Sequence, residues 1–84
     1  MDPTAHKLAV DKPVFFRICI QGALDESWED YLGLQAISVE VDKAGIAASH
    51  LNTKALDQAG LVGLINRLNA LGLPLISVKY LAAA

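Results

Sequence analysis

Residues 57–80, DQAGLVGLINRLNALGLPLISVKY, spell out a helix and the strand that follows it, with the boundaries of both in place. Asp57 offers a carboxylate to the free amides of a first helical turn, and Leu61, Leu64, Ile65, Leu68 and Leu71 recur at helical spacing. Gly72 and Pro74 end the helix, since glycine accepts the left-handed turn that proline then prevents from continuing. The β-branched run Ile76-Ser77-Val78 comes next. The stretch predicts a helix over 58–71 and a strand over 75–81.

Toward the N-terminus, Val14, Phe16, Ile18 and Ile20 alternate with Phe15, Arg17, Cys19 and Gln21, which predicts a strand with one apolar and one mixed face. After Gly22, Trp28, Tyr31 and Leu32 stand at i, i+3 and i+4, with Asp25 or Ser27 as a cap and Gly33 as terminator, so a helix of about two turns is expected. Leu34 to Val41 alternates again, with Ile37, Val39 and Val41 against Ala36, Ser38 and Glu40. Asp42-Lys43-Ala44-Gly45 reads as a reversal. Leu51, Thr53 and Ala55 against His50, Asn52 and Lys54 predict a strand over 49–56, while Ile46, Ala47 and Ala48 extend the loop before it.

The resulting order is β-α-β-β-α-β. The simplest architecture with that order is an α+β, ferredoxin-like two-layer sandwich, an antiparallel sheet with both helices on one face. The expected organisation is a flexible N-terminal tail over 1–13, a single domain over 14–81 and a short C-terminal tail over 82–84.

The chain has 84 residues, 54% of them hydrophobic and 19% charged. A chain this small has more surface than core, so part of its apolar content has no private interior, and self-association into a dimer or larger homo-oligomer is the expected remedy. The net charge of −2 comes from scattered residues, which excludes the clustered Lys and Arg of a nucleic-acid surface. No apolar run approaches the roughly 18 residues of a membrane span. Met1 to Lys12 lacks the apolar segment of a secretory signal. The single cysteine, Cys19, allows no internal disulfide and fits a reducing compartment, so a cytoplasmic protein is expected.

Two stretches carry a resemblance. Arg17-Ile18-Cys19-Ile20-Gln21-Gly22-Ala23-Leu24-Asp25 with Trp28, and Asp57-Gln58-Ala59-Gly60-Leu61-Val62-Gly63-Leu64-Ile65 with Leu71-Gly72-Leu73-Pro74-Leu75-Ile76-Ser77-Val78, resemble a widespread group of small uncharacterised bacterial single-domain proteins. The resemblance spans about residues 14–80 and implies one domain without supplying a catalytic residue. Asp57-Gln58-Ala59-Gly60-Leu61 is also similar, more loosely, to the D-x-P-G-L helix start of amino-acid-binding ACT regulatory modules. That similarity implies an effector near Asp57, Gln58 and Gly60, whereas a plain N-cap requires none.

The residues offer no assembled catalytic set. The chain lacks a G-x-S-x-G elbow, a CxxC pair, an H-E-x-x-H helix and a glycine-rich phosphate loop. Two distant histidines, His6 and His50, and unclustered carboxylates make no metal site, and no cofactor is implied. Ile20-Gln21-Gly22 resembles the strand end of acylphosphatases, yet Asp25 and Glu26 stand where those enzymes need a phosphate-binding arginine.

The sheet face away from the helices is the expected place for function. It gathers Phe15, Arg17, Cys19, Glu40, His50, Asn52 and Lys79 as ligand or interface candidates, with Arg17 and Glu40 able to pair within or across subunits. With Phe15 its only aromatic, it lacks the stacking platform of an RNA-binding sheet. The reading is a non-enzymatic, homo-oligomeric module that binds a small molecule or a protein. A small enzyme working on the open face or in a subunit-interface pocket, and a structural accessory domain, are the alternatives.

Overall fold

The computed structural model describes residues 9–84. Its elements run β1 (Val14–Gln21), α1 (Trp28–Leu32), β2 (Leu34–Val41), β3 (Ala47–Thr53), α2 (Gln58–Ala70) and β4 (Leu75–Ala83). The four strands form one antiparallel sheet in the order β2-β3-β1-β4. The architecture is the α+β, ferredoxin-like βαββαβ sandwich, with β1 and β3 at its centre.

Alternation sends Ile18 and Ile20 of β1 and Leu51 of β3 to one side, where Leu24, Leu32, Leu34, Leu64 and Leu68 close over them as a single buried cluster. Both helices therefore cover the same face. Asp57 caps α2, its Oδ1 accepting the Gly60 N–H at 2.8 Å. A Cβ at Gly60 would lie 3.3 Å from both that oxygen and Leu56 Cδ2, so the glycine lets the cap and Leu56 close in together. Gly33, at φ 67°, ends α1 in the left-handed conformation.

Two buried hydroxyls tie this layer together. Ser49 Oγ donates to the Gly22 carbonyl at 2.6 Å and accepts the Leu24 N–H at 2.9 Å, which fixes the loop between β1 and α1. Thr53 Oγ1 accepts the Phe16 N–H at 3.0 Å. Each replaces a bond that the ladder does not supply, so these polar side chains sit in the core without penalty.

Several boundaries differ from the sequence reading. β3 begins at Ala47 and ends at Thr53, because Ala47 and Ala48 extend its ladder to Val41 and Glu40, while Lys54 and Ala55 leave it. Leu56 instead makes an isolated bridge to Val14. β4 runs on through Ala82 and Ala83, which pair with Phe15 and Val14. α1 has only five residues, about one and a half turns. Tyr31 consequently points outward and meets the half-buried Trp28 edge to face, their ring centroids 5.7 Å apart. The first eight residues of the expected N-terminal tail, His6 among them, lie outside the described residues. No described helix is long and apolar enough to cross a membrane.

Ser49→Ala strips one buried and one half-buried backbone group of their partner and is expected to lower stability by about 1–3 kcal/mol, more than the lost volume accounts for. A urea midpoint equal to wild type would show that the loop does not depend on this hydroxyl. Gly63 has open space where a Cβ would stand, so Gly63→Ala is expected to stabilise α2 by up to about 1 kcal/mol. A lowered midpoint would instead reveal a close neighbour on that helix face.

Candidate functional site

The open face assembles as the alternation predicts. Across β1 and β3, Arg17 stands opposite Asn52 and Cys19 opposite His50. Across β1 and β4, Arg17 stands opposite Lys79 and Cys19 opposite Ser77. Ser38 and Glu40 of β2 oppose His50 and Ala48. Among the described residues no helix covers this side, so its chemistry is presented on a shallow, water-facing surface.

Arg17 and Glu40 do not pair within the chain. Arg17 Nε donates to Asn52 Oδ1 at 3.0 Å, and Glu40 Oε1 lies 3.0 Å from His50 Nε2. The cause is strand order: β3 lies between β1 and β2, a separation of two strand spacings, or roughly 10 Å. Each charged side chain therefore bonds to a polar β3 side chain, Arg17 to Asn52 directly opposite it and Glu40 to His50 on the diagonal. The two bonded pairs still share one depression, bordered by Arg17, Ser38, Glu40, His50 and Asn52.

Cys19 is buried beneath its neighbours on this face and is a free thiol. Phe15 is half-buried and Lys79 exposed. The helix-start candidates Asp57, Gln58 and Gly60 lie apart, on the other side of the sheet. Their bonds are local: Asp57 caps Gly60, and the Gln58 N–H donates to the Val10 carbonyl at 3.0 Å. Capping accounts for Asp57 and Gly60 there. Among the described residues, no three His, Cys, Asp or Glu side chains converge as metal ligands.

A second concavity was not legible in the sequence. It holds about 260 Å³ on the helix side, between Val10, Val14, Phe16, Leu56, Leu61 and Tyr80. It exists because α2 does not extend over the end of β4, and it joins a residue before β1 to one near the chain's other end. The aromatic alternation of Phe16 and Tyr80 was its only signal, since these two are partners across β1 and β4.

The exposed His50–Glu40 contact is expected to matter little to stability. Glu40→Gln should shift unfolding by less than about 1 kcal/mol, because water screens the pair. A loss above about 2 kcal/mol in urea denaturation would make this contact a structural clamp rather than an available binding group.

No curated protein and no solved structure matches the chain. The model of the family described as "Domain of unknown function (DUF8691)" matches residues 15–79, from the second residue of β1 into β4, and the chain belongs to that family.

Proposed function

We propose that the protein is a non-enzymatic, homo-oligomeric binding module, working in the cytoplasm, whose open sheet face takes a small polar molecule or a polar segment of a protein partner. The observation that carries this reading is the pair of hydrogen-bonded couples, Arg17–Asn52 and His50–Glu40, side by side in one depression. The couples present cationic, anionic and amide groups within one small area. Such a surface can exchange its internal bonds for bonds to a ligand at little net cost. It does not exclude water, which electrostatic catalysis requires.

Homo-oligomer formation is supported by apolar residues that the fold leaves uncovered, above all on β4. Native mass spectrometry of freshly purified protein tests both halves of the proposal at once. The expected result is a multiple of the 8.9 kDa chain carrying an adduct that is lost from Arg17→Ala. A bare monomer at micromolar concentration would overturn it.

The enzyme alternative has one specific observation in its favour. Cys19 stands opposite His50 across the sheet, and His50 contacts Glu40, which places a thiol, an imidazole and a carboxylate in a row across β1, β3 and β2. Alkylation by iodoacetamide separates the readings. As a packed side chain, Cys19 is expected to react more slowly than a free thiol and to be indifferent to His50→Ala. Fast alkylation that His50→Ala slows would favour an activated nucleophile.

A further inference from the structure

The sheet has two outer edges, β2 and β4, and the fold treats them differently. On β2, the α1 residue Glu29 reaches the strand, its Oε2 accepting the Ile37 N–H at 3.2 Å. A carboxylate on an edge strand occupies the amide that another strand would use. Among the described residues, no side chain hydrogen-bonds to the backbone of β4.

β4 is also the longest strand and is exposed along its whole length. Leu75, Ile76, Val78, Tyr80 and Leu81 each keep between 38% and 57% of their surface in water. Leu75, Val78 and Tyr80 share the helix side, opposite Ile20, Ile18 and Phe16, whereas Ile76, displaced at a register shift, borders Gln21, Glu40 and Ala48 on the open face. Over both faces the strand leaves on the order of 400 Å² of mostly apolar surface. That is about half of what each partner contributes to a standard interface. The strand's own backbone edge and the neighbouring Phe16 and Leu73, both half-buried, extend the same surface.

Charge does not oppose contact between two copies here. Lys79 is the only charged residue of β4, and its pairing opposite Arg17 places it on the open face, where water and salt screen it from its own image. The two register irregularities of β4 fall between Leu75 and Ser77 and between Tyr80 and Ala82. The stretch Ser77–Tyr80 between them is regular and free to pair.

We propose that β4 is the self-association edge: two copies pair antiparallel along this strand about a two-fold axis, joining their sheets into one of eight strands. With the axis at Val78, that residue faces its own counterpart on the helix side with Tyr80 flanking it, and Lys79 stands opposite Ser77 of the other copy, in the isologous contact that two-fold symmetry demands. This inference rests on the oligomeric part of the proposed function and names its partner as a second copy of this chain.

Sedimentation velocity on the full chain at tens of micromolar, alongside hydrogen exchange at high and low protein concentration, tests it. Wild type is expected to sediment as a dimer, with β4 amides gaining protection as concentration rises. The Val78→Glu/Tyr80→Glu double variant should weaken the dimer at least about a hundredfold, whereas Val39→Glu, at an equally exposed valine on β2, should leave it intact. Should the double variant fail to fold, concentration-dependent protection of wild-type β4 still decides the question. A monomer overturns this inference and the oligomeric reading together. An oligomer whose β4 protection does not change with concentration, and which Phe15→Glu abolishes, overturns only the β4 edge.

Discussion

The structure depends on how little helix there is to cover the sheet. A five-residue α1 and a thirteen-residue α2 must shield four strands of seven to nine residues. In a two-layer sandwich the strand left without a helix above it cannot bury its apolar side. Because α1 stops at Gly33, α2 occupies the centre of the sheet, and Leu64 and Leu68 close over Ile18, Ile20 and Leu51. The flanks are left open. Val39 and Val41 at one side, and Val78 and Tyr80 at the other, lie on the helix side of the sheet and remain exposed.

Strand order governs the chemistry of the other face in the same way. With β3 between β1 and β2, the residues able to bridge the sheet are those of β3, and His50 and Asn52 take that position. Each bonds to a charged neighbour on a different strand. The depression they form therefore has separate positive and negative ends rather than one neutralised salt bridge. That polarity follows from topology, and a different order of the same strands would bring Arg17 and Glu40 together.

The fold was legible where local signals and burial agree. Alternation in 14–21 and 34–41, the cap at Asp57 and the Gly72-Pro74 stop each gave an element its correct place, and the membership of the open face followed from the two-residue period. The errors lie where tertiary bonds overrule local pattern. Ala47 and Ala48 are strand residues because β2 offers them partners, not because alanine prefers a strand. Lys54 and Ala55 continue an alternation that the ladder abandons, since Leu56 turns back to Val14. Tyr31 has the spacing of a buried position, but a helix of under two turns has no buried stripe long enough to use it. The apolar concavity at Phe16 and Tyr80 depends on where α2 lies across the sheet, which no local window of sequence encodes.

The hydrophobic excess of the chain is thus a property of its edges and not of its core. The buried cluster is small, and Ser49 and Thr53 fill core positions with hydroxyls that serve loops and ladder. β4 is held by its ladder to β1 rather than by side chains packed beneath a helix. Exposed strand amides open locally more readily than buried ones, so covering β4 with a second copy would stabilise a strand that the isolated fold leaves exposed along its whole length. Lys79 links that strand to the open face through its place opposite Arg17. A ligand that engages Arg17 and Lys79 together would favour the ordered strand, and by linkage the pairing that orders it would favour the ligand.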